Sequence, residues 1–182
     1  MSPIEFYWIT LTVAFGFIGA ARGYPRELGV TTVMLIAILV LKRFGTPLMS
    51  LLDKQLGPLL GVQILQQPDS NLIQYLIYTG FFLAVVFAAY AGETLTFRGQ
   101  PARGGVGMLI SIANGLVNGY LINGTLWYYL DKYDYPIQRW DLFKPPLTDL
   151  AQEMVRYLPP RVLDTTMLIG LIGILTLLRI RK

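Results

Sequence analysis

Long stretches of the chain carry no charged residue, and this feature restricts the fold more than any other. They cover residues 6–21, 28–41, 71–91 and 105–130, with a shorter one at 165–178. A helix needs about 20 largely apolar residues to cross roughly 30 Å of hydrocarbon. Only 14% of the chain is charged, against about 25% in soluble domains. The pattern predicts an all-α, polytopic transmembrane helix bundle of four to five spans, with amphipathic helices at the interface.

The segments outside these runs contain prolines and charges. Residues 46–68 include Pro47 and Pro58, with leucines at helical spacing, and this predicts a broken amphipathic helix along the interface. Residues 131–163 carry charges of both signs, and we expect within them a short amphipathic helix that buries Leu147, Leu150, Met154 and Leu158. The chain thus divides into a four-span membrane domain, an extramembrane or interfacial segment, and a fifth span with a basic tail: residues 1–130, 131–163 and 164–182.

Basic residues near the span ends predict the orientation. With five spans, Arg22, Arg26, the arginines after the third span and the basic tail share one side. The positive-inside rule makes that side cytoplasmic, with the amino terminus outside and the carboxyl terminus inside. The first span also fits a cleavable signal peptide, but the start lacks a basic region and carries Glu5, which favours a retained anchor. Three residues oppose this orientation: Lys42, Arg43 and Lys54.

The chain contains no cysteine and no histidine. This composition excludes disulfides and iron–sulfur clusters, and it removes the commonest metal ligand and the commonest general base. No pair of acidic residues has a spacing that demands acid–base work. We therefore expect a protein that is not an enzyme and has no catalytic residue, metal site or cofactor. Its expected partners are the lipid bilayer and other membrane subunits or a second copy, and not nucleic acid.

Two spans carry small residues at every fourth position. Helices in a bilayer gain little by hiding apolar surface from each other, so they associate by close backbone approach and by hydrogen bonds. We predict that the third and fourth spans pack together through these two stripes, while the first span adds Gly19 and Gly23. The third-span stripe is Gly80, Ala84, Ala88 and Gly92, and the fourth-span stripe is Gly107, Ser111, Gly115 and Gly119.

The fourth span also contains three asparagines: Asn114, Asn118 and Asn123. One interpretation is that they form a polar permeation path or a ligand pocket. The other is that their amides form hydrogen bonds to a neighbouring helix, worth about 0.6–2 kcal/mol each. The second reading is favoured because the span lacks an ionisable residue, which transport sites usually show. Candidate partners lie on two other spans: Gln74 and Thr79 of the third, and Thr31 and Thr32 of the second.

The turn after the first span, residues 19–28, reads GAARGYPREL. Arg22, Arg26 and Glu27 would suit contact with an anionic headgroup or a partner, or simply a charged hairpin that sets the topology. A first span that ends in RGxxRE, followed by three spans of which the last carries GxxxG stripes, resembles the colicin V production protein family of bacterial inner-membrane proteins. That family's last common span typically has a Gly-x-x-Arg-Gly element, and here GLVNG at 115–119 places Asn118 where the arginine would be.

The resemblance covers roughly residues 4–130, and it implies a protein of the bacterial cytoplasmic membrane linked to envelope maintenance or export. We therefore expect a non-enzymatic protein that acts in envelope homeostasis, export or assembly through helix–helix contacts. An alternative is an accessory subunit of a large respiratory or photosynthetic membrane complex, with the aromatic-rich segment 127–143 at its interfaces. A small-solute transporter or channel is the third and least favoured hypothesis.

Overall fold

The computed structural model describes residues 3–60, 65, 70–92, 97, 104–140, 143, 145 and 147–180, excepting the side chains of 56, 60 and 139. This part of the chain is all helical, with a 3₁₀ turn at Pro136–Trp140, and the predicted all-α bundle is confirmed. The α-helices in chain order are α1 (Ile4–Arg22), α2 (Tyr24–Leu60), α3 (Ser70–Ala91), α4 (Gly105–Lys132), α5 (Asp149–Arg156), α6 (Pro159–Val162) and α7 (Thr165–Ile180).

Among the described helices, α1, α2, α3 and α4 are long and apolar enough to cross a membrane. Helix α1, the shortest of them with 19 residues, is about 28 Å long at 1.5 Å per residue, close to the thickness of the hydrocarbon core. Helix α7 is also apolar but has only 16 residues. Its assignment as a fifth span stays a prediction.

The buried core lies where α2, α3 and α4 meet. It is built from bulky apolar side chains such as Met34 and Ile38 of α2 and Phe82 of α3, and α7 adds Leu168. Helix α1 lies outside this core, and its most extensive contact is with α4. Helix α4 therefore has α1 on one side and the core on the other.

Helix α2 is longer than predicted. We expected a short span at 28–41 and a separate broken helix from residue 46, but α2 runs unbroken through Pro47 to Leu60. Buried residues on both sides of this proline hold the helix: Gly45 lies so close to Tyr78 that an added Cβ would be 2.5 Å from its Cε1, and Met49 belongs to the core. Tertiary packing here overrides the local effect of proline. The rest of the predicted segment, apart from residue 65, lies outside the described residues: 61–64 and 66–68.

Segment 131–163 packs over the ends of α1 and α4. Helix α5 forms as expected, and Leu147, Met154 and Leu158 of the predicted face pack inward. The face is rotated slightly, because Ala151 and Val155 pack on Trp127 while Leu150 is 56% exposed. The small side chain of Ala151 permits this close contact. The Thr148 hydroxyl caps α5 by accepting from the Ala151 amide at 3.1 Å, and it donates to Glu5 at 2.6 Å.

Lys42 of α2 attaches the segment before α7 to the bundle. Its Nζ donates to the carbonyl oxygens of Pro160 at 2.8 Å and Leu163 at 2.7 Å. Helix α7 begins beside this lysine and packs against α2. An ion pair between Asp131 and Arg161 joins the end of α4 to α6 in the same region.

Candidate functional site: a polar clasp at the α1–α2 turn

The small-residue stripe of α4 packs against α1. An added Cβ at Gly115 would meet the Phe15 carbonyl oxygen and lie 3.0 Å from Gly19 Cα. One at Gly119 would lie 2.9 Å from Thr12 Cα. Two backbones approach this closely only where small residues lie at the contact. The fourth-span stripe is therefore a packing surface, and its partner is α1.

The third-span stripe does not meet α4, so the predicted pairing of the two stripes is wrong. Gly80, Ala84 and Ala88 are exposed, and an added Cβ at Gly80 would meet no described atom within 4 Å outside the neighbouring helix backbone. Helix α3 instead faces the core with its bulky side chains, among them Tyr78 and Phe82. Burying that apolar face turns the small-residue face outward. Gly92 lies just past the end of α3.

The carboxylate of Glu27 lies fully buried at the first turn of α2. Its Oε1 accepts from Arg22 Nε at 2.8 Å. Its Oε2 accepts from Asn118 Nδ2 at 2.7 Å and from the Tyr90 hydroxyl at 3.2 Å. These residues come from α1, α2, α3 and α4. We call the set Arg22, Glu27, Thr31, Tyr90 and Asn118 the polar clasp.

Further bonds complete the polar clasp. Arg22 donates to the Tyr90 carbonyl oxygen at 3.0 Å, and its guanidinium lies over the Tyr90 ring at 4.7 Å from the centroid. Asn118 Nδ2 also donates to the Glu27 carbonyl oxygen at 3.1 Å, and its Oδ1 accepts from the Thr31 hydroxyl at 2.6 Å. Because both carboxylate oxygens and both amide atoms have partners, the buried charge is neutralised and hydrogen-bonded.

The backbone places these side chains together. Gly23 adopts a positive φ of 84° between α1 and α2, a conformation that glycine takes without strain. The following amide, that of Tyr24, donates to Ser111 Oγ at 3.0 Å and anchors the turn on α4. Phe97, in the connection from α3 to α4, donates its amide to the Pro25 carbonyl oxygen at 3.2 Å.

The other predicted polar residues lie apart from the polar clasp. Asn114 donates to the Ile110 carbonyl oxygen of its own helix at 2.8 Å, and Asn123 donates to the Thr12 hydroxyl on α1 at 3.3 Å. Arg26 is exposed. One prediction was that Arg22, Arg26 and Glu27 contact an anion or a partner. In the polar clasp the Arg22 guanidinium instead binds the Glu27 carboxylate of the same chain.

Sequence reasoning identified Asn118 and Thr31 but did not identify Glu27 as an intramembrane carboxylate or Tyr90 as its partner. A signal was present, since Glu27 lies one turn before Thr31 on a face that continues with Met34 and Ile38. A charge on an apolar helix face indicates a buried partner.

Comparison with known proteins adds nothing to this geometry. No protein family, curated protein or solved structure matches the chain. The polar clasp holds four helices at one end of the bundle, and its polar groups bind one another. It is an arrangement suited to fixing helix positions.

Proposed function

We propose that the chain is a non-enzymatic integral protein of the bacterial cytoplasmic membrane that acts through lateral helix contacts in envelope homeostasis, export or assembly. The exposed small-residue face of α3, Gly80, Ala84 and Ala88, carries this proposal. A stripe of this kind lets another helix approach closely. The matching stripe of α4 is already covered by α1, whereas the α3 stripe has no described helix upon it.

The polar clasp supports this role because it makes the α3 face rigid. Tyr90 near the end of α3 bonds Glu27 of α2, and the core side chains fix the rest of the helix. A pre-ordered surface loses less conformational entropy when a partner binds. The two sequence elements behind the family resemblance also meet here, since Arg22 and Glu27 belong to RGxxRE and Asn118 to GLVNG.

The orientation proposed with this function places the amino terminus outside and the carboxyl terminus in the cytoplasm. Arg22 and Arg26 lie at the α1–α2 turn. Helix α7 begins beside Lys42, and Arg179 lies in its last turn. These basic residues favour a cytoplasmic location for the α1–α2 turn and for the end of α7.

Extraction in mild detergent followed by native mass measurement tests the proposal. We expect an assembly, either of several copies or with other membrane subunits, that Ala84→Leu dissociates. Ala113→Leu is the matched control, because Ala113 is also exposed but lies on α4. A wild-type chain that is monomeric after mild extraction, or equal effects of the two variants, would refute the α3 contact. A stoichiometric assembly with respiratory or photosynthetic subunits would establish the accessory-subunit alternative.

Solute translocation is the second candidate, and the buried carboxylate of Glu27 is the observation that favours it. Ionisable residues inside membrane bundles often mark ion pathways. Flux into proteoliposomes is the test, with Asn118→Leu against the control Asn114→Leu, whose native amide bonds its own helix. Flux that only Asn118→Leu abolishes would establish this candidate, and absence of flux would remove it.

A further inference from the structure

An apolar cavity lies between α1, α3, α4 and the 3₁₀ turn, at the end of the bundle opposite the polar clasp. Its volume is about 200 Å³. The wall includes Tyr7, Trp8 and Leu11 of α1 and Leu126 and Trp127 of α4. None of the described residues that line it is ionised at neutral pH.

The size and chemistry of the cavity suit a hydrocarbon. An apolar cavity of roughly 150 Å³ in a protein interior stays free of water and takes up benzene, so the space here is large enough for a segment of an alkyl chain. The amide in the wall, Asn123, directs its Nδ2 to Thr12 at 3.3 Å. A buried polar atom of another wall residue, Trp8 Nε1, has no hydrogen-bond partner among the described residues. Water gains little in such a space, because it needs two to four polar partners.

The surroundings identify the occupant. Tyr7 and Leu11 at the wall of the cavity are 43% and 50% exposed on the outer surface of α1. Helix α1 is one of the four helices apolar enough to cross a membrane, and when it spans a bilayer the medium outside this wall is lipid. Trp127, at 3% exposure, forms an inner wall. We propose that the cavity binds a segment of an acyl chain of a membrane phospholipid.

Trp127 offers a direct test because its ring lines the cavity but is shielded from the outer surface. Its Nε1 donates to the Tyr135 hydroxyl at 3.1 Å, which fixes the ring. The chain has three tryptophans. Trp8→Phe, which keeps an aromatic ring in the cavity wall, with Trp140→Phe leaves Trp127 as the single reporter. Reconstituted in phosphatidylcholine with brominated acyl chains, this full-length variant should lose Trp127 fluorescence relative to the same protein in unbrominated lipid.

Two further changes in this background have opposite expected effects. Leu126→Phe fills the cavity and should remove most of the quenching, whereas Leu11→Ala widens its outer wall and should increase it. Leu83→Phe adds the same volume at an exposed position on α3 and should leave quenching unchanged. Far-UV circular dichroism reports whether each variant is folded. Absence of quenching in the background variant, or quenching that Leu126→Phe and Leu11→Ala do not alter, would overturn the proposal.

Discussion

Replacing Gly115 by alanine tests the contact between α1 and α4. The added methyl group would meet the carbonyl oxygen of Phe15 and lie 3.0 Å from Gly19 Cα. Backbone atoms cannot rotate away as a side chain does, so the helices must separate by about 1 Å, which forfeits a quarter to a half of the dispersion energy of each contact along the seam. Such overpacking costs about 1–3 kcal/mol.

Alanine also gains about 1 kcal/mol over glycine in a helix interior, so Gly115→Ala should destabilise the protein by up to about 2 kcal/mol net. Gly80→Ala is the matched control, because an added Cβ there meets no described atom within 4 Å outside the neighbouring helix backbone. It should keep the stability equal or raise it by up to about 1 kcal/mol. The free energy of unfolding is measured by titration with denaturing detergent and circular dichroism. Equal stability of the two variants would refute the reasoning.

Three further predictions concern polar contacts and use the same unfolding assay. Glu27→Ala leaves Arg22 without its carboxylate and should cost about 3 kcal/mol, while Glu27→Gln keeps hydrogen-bonding atoms and should cost less; a Glu27→Gln variant as stable as the wild type would contradict the ion pair. Lys42→Met removes two bonds to the segment before α7 and should cost about 1–2 kcal/mol, with faster amide exchange in α7; unchanged exchange would count against this attachment. Thr148→Ala removes the cap of α5 and should cost about 1 kcal/mol, whereas Thr148→Ser should retain it.

The membrane helices could be predicted from sequence because each depends on a local property, the length of an uncharged run. Runs at 6–21, 71–91 and 105–130 became Ile4–Arg22, Ser70–Ala91 and Gly105–Lys132. The extent of α2 could not be predicted this way, because its continuation through Pro47 depends on contacts with α3 that are distant in sequence.

The partners of the small-residue stripes were not predictable for a related reason. Periodicity identifies a face of a helix and says nothing about which helix covers it. Helix α1 contributes Gly19 at the contact with α4, while α3 is held against the core by Phe82 and so turns Gly80 outward. Which helix covers a stripe depends on which helix faces fill the core best, and this is a property of all the helices together.

The polar clasp was predictable in part. Asn118 and Thr31 were recognised as groups that need partners within the bundle, and they bond each other. The sequence predicts for Glu27 either a contact with an anion or partner or a charged hairpin that sets the topology, and neither interpretation predicts its burial. Its burial depends on the close approach of α1 to α4, which brings Arg22 and Asn118 to the same carboxylate.

The central claim is that α4 packs against α1 and leaves the small-residue face of α3 uncovered. The chain has no native cysteine, so disulfide trapping in native membranes tests it directly. Thr12→Cys with Asn123→Cys replaces a pair in 3.3 Å contact, and we expect rapid oxidation to a disulfide, detected by cleavage at a protease site engineered between α3 and α4. Ala88→Cys with Ser111→Cys should not form one. Linkage of the second pair without the first would contradict the account.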